Sequence, residues 1–280
     1  MRSDWTALPT AVVDGIADRV GRPLDVVPAP AGDHAELASA VTGPDGAVFA
    51  KAASAGIQSL RYELTATLAA AKVTDTASAV RWHFEADGWL VVGTELLHGP
   101  HPDFSPGSAD LDLVAATLKG LQETPAVGEP WFTPAGRLGW EHPAMHGAML
   151  VHTDLNPTNM LVTAGGLRIV DWAFATKAAP WVELAMLAQW LIGAGHTAGQ
   201  AEQWLSQFPA WGAIGPDVLD VFAEHNAAKW AAKAHQQHLR WVHDLADWTG
   251  RWATHRRAAL TGNQAPATNP DALPPGRGPA

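Results

Sequence analysis

The chain has 280 residues, 47% of them hydrophobic, with a formal net charge of −10 and no cysteine. This acidity argues against nucleic-acid binding, which needs clusters of Lys and Arg against phosphates, and the lack of cysteine excludes disulfides and sulfur-ligated metals. No apolar run approaches membrane-spanning length, and the first residues do not resemble a signal peptide. A cytoplasmic protein that does not bind membranes is therefore expected.

The first third of the sequence predicts a small antiparallel sheet with helices. Apolar residues at helical spacing and a closing glycine indicate a helix over residues 10–20. Short apolar segments separated by turn residues predict a meander of three strands and then a hairpin. The predicted strands cover residues 24–29, 35–41, 47–53, 79–84 and 89–95. A second helix is predicted between the two groups, from the stripe Ile57, Leu60, Leu64 and Leu68.

The composition changes after this sheet. Residues 96–107 include three prolines and two glycines, which is typical of a connector between lobes. A helix that Ser108 can cap follows, and helices dominate after Trp181. The predicted organisation is an N-terminal lobe (1–95), this linker (96–107), a helical C-terminal lobe (108–260) and a disordered tail (261–280).

The segment "LVHTDLNPTNML", residues 150–161, lies between the predicted helices of the second lobe. Pro157 lacks a backbone donor and disfavours helical dihedrals at Asn156, which indicates two short strands joined by a polar loop. Polar side chains on a loop between buried strands are well positioned for chemistry. A further predicted strand, "LRIV", ends at Asp171.

These polar residues match the needs of phosphoryl transfer from a nucleotide. That reaction requires a metal and a cation against the phosphates, and an acceptor hydroxyl aligned for attack. Asp154 is the candidate base or orienter of the hydroxyl. Asn159 and Asp171 offer the hard oxygen ligands that magnesium prefers. The simpler alternative is that Asp154 and Asn159 only cap a turn.

The N-terminal lobe supplies candidates for holding the nucleotide. Lys51 lies in the third strand, where its ammonium could reach phosphate oxygens, and Glu63 on the following helix could hold it by an ion pair. The loop "AGDH", with Gly32, could cover the phosphates with backbone donors. The backbone of "GTEL", including Glu95 and Leu96, could meet the base edge. Alternatively, the lysine and the glutamate are ordinary solvated residues.

"HTDLNPTN" and then "VDWA", after a strand lysine and a helix glutamate, resemble the aminoglycoside phosphotransferase and choline kinase superfamily. This resemblance implies an α+β, two-lobed protein-kinase-like fold, with a small antiparallel-sheet N-lobe that binds nucleotide and a larger, mainly helical C-lobe. It implies ATP or GTP and Mg²⁺ as cofactors. The implied roles are catalysis for Asp154, magnesium binding for Asn159 and Asp171, nucleotide anchoring for Lys51 with Glu63, and loop bracing for His152.

The sequence departs from the family pattern at three positions. Thr153 replaces the glycine commonly found after the histidine, and the phosphate loop has only Gly32. Glu183 stands where an aspartate usually opens the next helix. None of these departures removes a candidate metal ligand or the candidate base.

The predicted acceptor is a hydroxylated small molecule, such as an antibiotic or another natural product. Residues 172–262 contain seven acidic and seven basic residues and are rich in tryptophan, which favours an apolar or aromatic alcohol over a polycation. Trp172 and Glu183 are the candidate substrate contacts. Four carboxylates could instead converge on a cationic acceptor: Glu183, Asp217, Asp220 and Glu224.

Three other interpretations fit the sequence less well. A protein Ser/Thr kinase of the same fold would need a peptide groove and an activation segment longer than "DWAFATKAAPWVE". A kinase-like binding module without turnover has no physical need for the whole set of lysine, aspartates and asparagine. A zinc site at His235 and His238 would lack a carboxylate or cysteine at ligand spacing.

Overall fold

The structure is a computed structural model, which describes residues 5–29, 35–128 and 131–263. The chain divides into two compact units, Met1–Leu219 and Asp220–Ala280. The predicted phosphate loop at residues 31–34 and the predicted tail from residue 264 onward lie outside the described residues. Within the described part of the chain, no helix combines the length and apolarity needed to cross a membrane.

The first unit begins with a five-stranded antiparallel sheet of order β1-β2-β3-β5-β4. Its strands are β1 (Asp25–Pro28), β2 (Leu37–Gly43), β3 (Gly46–Ser54), β4 (Val80–Ala86) and β5 (Trp89–Glu95). Helix α1 (Thr10–Val20) packs Val12, Ile16 and Val20 into the apolar core on one face of this sheet, as its helical spacing predicts. Strand β3, at the centre, is covered on both sides.

Helix α2 (Gln58–Ala70) packs on the other face of the sheet. Leu60 and Leu64 contact the core that includes Leu90 and Val92 of β5. Side chains alternate between the faces of a strand, and the neighbours of Lys51 in β3, Ala50 and Ala52, face α1. Lys51 therefore points towards α2, the helix that carries Glu63.

The rest of the first unit is mainly helical. Its helices are α3 (Asp110–Gln122), α4 (Pro134–Leu138), α5 (Trp181–Gly193), α6 (Ala198–Leu205) and α7 (Pro209–Gly212). Two antiparallel strand pairs accompany them, β6 (Met149–Val151) with β9 (Thr176–Ala178), and β7 (Met160–Thr163) with β8 (Gly166–Ile169). The segments that leave β6 and β8 carry Asp154 and Asp171. Residues 96–107 contain no helix or strand.

The last two helices are α8 (Pro216–Gln236), which continues from the first unit into the second, and α9 (Arg240–Asn263). In the second unit Phe222 packs on Trp252 with ring centroids 6.2 Å apart, and Arg256 Nε donates to Asp220 Oδ1 at 2.6 Å. Helical spacing predicts that Trp241 is also a core residue, but it is 43% exposed. Trp241 lies in the first turn of α9, and its ring packs edge-on to Trp230 at 5.9 Å between centroids, a contact that covers only part of the indole.

Candidate active site

The loop after β6 is shaped by its own polar side chains. Asn156 Oδ1 accepts hydrogen bonds from the backbone N–H groups of Thr158 and Asn159, at 2.9 and 3.2 Å. These bonds cap a 3-10 turn over Pro157–Asn159. Proline suits the first position of such a turn because the N–H there would have no partner within the turn. The turn brings Asn159 next to Asp154.

The side-chain amide of Asn159 holds Asp154 in place. Its Nδ2 donates to the backbone oxygen of Asp154 at 2.9 Å and to Oδ2 of the carboxylate at 3.1 Å. The Asp154 side chain is nevertheless 28% exposed, so an acceptor can reach it. Because the amide nitrogen of Asn159 is used in these bonds, its Oδ1 is the atom that suits a metal ion.

Asp171 follows β8 directly. The backbone N–H of Val170 donates to the backbone oxygen of Asn159 at 2.9 Å, which extends the β7–β8 ladder by one bond. Asn159 and Asp171 therefore lie at the same end of this strand pair. Asp171 has a φ of 62°, a left-handed conformation in which aspartate is enriched over most residues, and its side chain is 16% exposed.

Lys51 connects the sheet to this end of the strand pair. Its Nζ lies 2.5 Å from Glu63 Oε1 and 3.6 Å from Asp171 Oδ2. Burial alone would lower the pKa of Lys51, but the two carboxylates outweigh burial and the pKa lies above its usual value. The side chain is therefore a cation, and Lys51 contacts Asp171 although the two residues are 120 positions apart in the sequence.

His152 is buried behind the loop. Its Nε2 donates to the backbone oxygen of Val170 at 3.0 Å, and its Nδ1 accepts from the N–H of Asp154 at 3.3 Å. The ring also lies edge-on to Trp172, at 4.8 Å between centroids. Burial lowers the pKa of His152 to about 4, so the ring is neutral at physiological pH. These contacts fix the loop and give the ring no access to a substrate.

Glu183 also serves the loop, which corrects the prediction that it contacts substrate. The side chain is buried, and its carboxylate accepts the backbone N–H groups of His152 and Thr153. Burial raises the pKa of Glu183 to about 7, although the two N–H donors oppose this shift. A carboxylate with this surrounding positions backbone and cannot recognise an acceptor.

Trp172 needs a similar correction. Its side chain has no exposed surface, and its Nε1 donates to the backbone oxygen of Ile169 at 3.1 Å. The indole therefore packs in the core beside the loop that follows β6. Helix α2 also lies close to residues 172–174. Trp172 does not line an acceptor pocket.

The remaining predicted nucleotide contacts are Glu95, Leu96 and Gly32. The Glu95 carboxylate pairs with Arg168 Nη2 of β8 at 2.9 Å, so this side chain links the sheet to β8. Leu96 follows the end of β5 and is half-buried. The backbone contact of Glu95 and Leu96 with a base stays a prediction. Gly32 lies outside the described residues.

Sequence reasoning missed Arg137, which lies close to Asp154. Its Nε donates to Thr153 Oγ1 and its Nη2 to the Thr153 backbone oxygen, both at 3.0 Å. Nη2 also lies 4.0 Å from Asp154 Oδ1. Arg137 belongs to a five-residue helix, α4, that carries no recognisable motif. A single sequence gives no signal that would identify it.

Comparisons with known proteins agree with this geometry. Residues 140–217, which include the loop, Asp171 and Glu183, match the model of a phosphotransferase enzyme family. The predicted resemblance is confirmed. The family match also supports the prediction of a phosphotransferase. No curated protein sequence matches the chain.

Solved structures share the fold at low sequence identity. One is a thermostable mutant of the aminoglycoside phosphotransferase APH(4)-Ia with AMP-PNP and hygromycin B, at 12% identity and a TM-score of 0.60, covering 88% of this chain and 98% of that one. Another is the choline kinase LicA from Streptococcus pneumoniae, at 14% identity and a TM-score of 0.53, covering 90% and 99%. The predicted α+β, protein-kinase-like fold class is confirmed by these likenesses.

Proposed function

We propose that this protein is a magnesium-dependent kinase that transfers the γ-phosphate of a nucleoside triphosphate to a hydroxyl group of a small molecule. The observation that carries the proposal is the 3.6 Å approach of Lys51 to Asp171, together with Asn159 and Asp154 on the adjoining loop. A structural role alone would not require a buried cation, two carboxylates and an amide to meet there. Nucleotide use is also favoured by structures of similar fold that contain ADP, AMP-PNP or AMP.

Lys51 would hold the phosphates. Its ammonium is kept charged by Glu63 and Asp171, and Glu63 fixes it at 2.5 Å. An ammonium held in this way can neutralise phosphate oxygens without having to be ordered when the nucleotide binds. The ion pair would thus set the position of the triphosphate.

Asn159 and Asp171 would hold the magnesium ion. Among the described residues, no group of three or more His, Cys, Asp or Glu could form a metal site. One carboxylate and one amide oxygen still fit magnesium, since this ion commonly takes one or two protein ligands and completes its shell with phosphates and water. When bound, the ion would neutralise charge that develops on the phosphate oxygens.

Asp154 would act on the acceptor. As the acceptor oxygen forms a bond to the γ-phosphorus, the bond from that phosphorus to the β-phosphate oxygen breaks and the nucleoside diphosphate leaves. The proton of the hydroxyl passes to the Asp154 carboxylate. Asn159 keeps this carboxylate oriented through its bond to Oδ2, and the exposure of Asp154 lets the hydroxyl approach.

The acceptor is proposed to be an apolar or aromatic alcohol, not a polycation. Three carboxylates that could have recognised a polycation are already engaged: Glu183 binds backbone N–H groups, Asp220 pairs with Arg256 at 2.6 Å, and Glu224 pairs with Arg257 at 3.2 Å. A panel of acceptors tests this choice. Efficient turnover of deoxystreptamine antibiotics, with no turnover of macrolide-like or aromatic alcohols, would overturn it.

Nucleotide and metal use are tested by thermal unfolding with ATP or GTP, with and without magnesium. At 100 times its dissociation constant, a nucleotide should add about 2.7 kcal/mol to the free energy of unfolding. Asp171→Asn should remove the magnesium-dependent part of this gain. Phosphate transfer to peptides but to none of the alcohols would favour a protein kinase, and nucleotide binding without any transfer would favour a binding module.

A further inference from the structure

Thr153, between His152 and Asp154, has an unusual backbone conformation. Its φ is 60°, a region that L-residues rarely adopt and that is especially unfavourable for β-branched side chains. Glycine would adopt it without cost. The side chain of Thr153 is completely buried. A residue persists in such a conformation only where its surroundings determine it.

Neighbouring residues form hydrogen bonds with every polar group of Thr153. Its backbone N–H donates to Glu183, and its hydroxyl donates to the backbone oxygen of Phe174 at 2.8 Å. The same hydroxyl oxygen accepts from Arg137 Nε, and the backbone oxygen of Thr153 accepts from Arg137 Nη2, both at 3.0 Å. One guanidinium therefore binds both the side chain and the main chain of Thr153.

Arg137 is itself held firmly. Helix α4 begins with Pro134 and is capped by Thr133, whose Oγ1 accepts from Gly136 N. The guanidinium carbon lies 4.0 Å from the centroid of the Phe174 ring, a cation–π distance, and the side chain is only 14% exposed. The planar fork of arginine can form two parallel bonds of this kind, whereas the ammonium of lysine cannot.

From these contacts we infer that Arg137 and Thr153 are positioning residues for Asp154 in the proposed reaction. The backbone oxygen that Arg137 binds belongs to the peptide group joining Thr153 to Asp154. The next peptide oxygen, that of Asp154, is bound by Asn159 at 2.9 Å. Both peptide groups that flank Asp154 are thus fixed, which sets the direction of its carboxylate. Arg137 binds one of them and lies 4.0 Å from the carboxylate itself.

The arrangement requires a hydroxyl at position 153, which glycine does not have. Glycine would favour the same backbone conformation, but it would leave Arg137 Nε and the Phe174 oxygen without the hydroxyl between them. Serine would keep the hydroxyl. We therefore expect Thr153→Ser to retain activity and Thr153→Gly, although relieved of backbone strain, to lose it.

The test compares Arg137→Met, Arg137→Lys, Thr153→Gly and Thr153→Ser with the wild type. Transfer from γ-labelled ATP with magnesium is measured to water and to the alcohol panel. The kcat should fall about 100-fold in Arg137→Met, as a displacement near 1 Å would produce, with an unchanged KM for ATP. Arg137→Lys and Thr153→Gly should each lose at least about 10-fold, and Thr153→Ser should stay within about 3-fold of the wild type.

A double variant, Arg137→Met with Thr153→Gly, should lose no more than Arg137→Met alone, since Arg137→Met already removes the bond to the Thr153 hydroxyl. A wild-type kcat in Thr153→Gly, or a loss that appears only in the KM for ATP, would overturn the inference. The reference is Asp154→Ala. If this variant is inactive while Arg137→Met equals the wild type, only the positioning role fails; if Asp154→Ala is as active as the wild type, the proposed function fails.

Discussion

Because the buried ring of His152 is neutral, we expect its contribution to the free energy of unfolding to fall at acid pH. In the folded protein the pKa of His152 lies near 4 because of burial, against 6.5 for an ordinary histidine. Between pH 6.5 and about 4, His152 therefore binds a proton in the unfolded chain but not in the folded protein. The stability that His152 contributes is fully present above pH 6.5 and is lost as the pH falls towards 4. His152→Gln removes this titration and keeps an amide donor for the Val170 oxygen.

The size of the effect follows from the two pKa values. At pH 5 the difference in proton binding is equivalent to about 2 kcal/mol of unfolding free energy. Glu183 opposes this trend in the wild type, because its pKa is raised to about 7 and folded Glu183 binds a proton that the unfolded chain releases. The pH profile of the wild type alone is therefore not diagnostic. The difference between wild type and His152→Gln isolates the histidine.

The assay is urea unfolding at pH 7.5 and pH 5, without divalent ions, for the wild type and His152→Gln. The stability advantage of the wild type should shrink by about 2 kcal/mol at pH 5. His98→Gln, which changes an exposed histidine, serves as the matched control and should show no comparable change. An advantage that stays constant between the two pH values would refute the conclusion that the folded ring is neutral.

Two further predictions concern other ion pairs. Glu63→Gln should raise the KM for ATP about 10-fold, because a neutral amide holds the buried Lys51 less strongly than the carboxylate at 2.5 Å does; an unchanged KM would contradict the anchoring role. Arg256→Met should lower the free energy of unfolding by about 3 kcal/mol, because it leaves the largely buried Asp220 without the 2.6 Å partner. Arg257→Met, at an exposed pair, should cost less than about 1 kcal/mol, and equal losses in the two variants would contradict this assignment.

The parts of the site that follow local rules could be predicted from the sequence. Asp154 and Asn159 are joined by hydrogen bonds within one loop, so their spacing is itself the signal. The approach of Lys51 to Asp171 spans much of the first unit. The alternation of side chains along β3 accounts for the direction of Lys51, but the sequence paired this lysine with Glu63 and gave no signal for its contact with Asp171.

Other features depend on tertiary packing and gave no local signal. Trp172 and Glu183 are both buried against the loop, and their residue types alone favoured a substrate pocket over this role. The bonds from Glu183 to the loop join residues 30 and 31 positions apart. Strand β9 has only three residues and becomes visible only through its pairing with β6. In each case the deciding neighbour is distant in the sequence.

The central claim is that Asp154 receives the proton of an acceptor hydroxyl during phosphate transfer. The most direct measurement follows label from γ-labelled ATP into the alcohol panel, with the wild type and Asp154→Ala at saturating magnesium. The wild type should label at least one alcohol. Asp154→Ala should label none while retaining the thermal stabilisation by ATP. Labelling by Asp154→Ala at the wild-type rate would contradict the account.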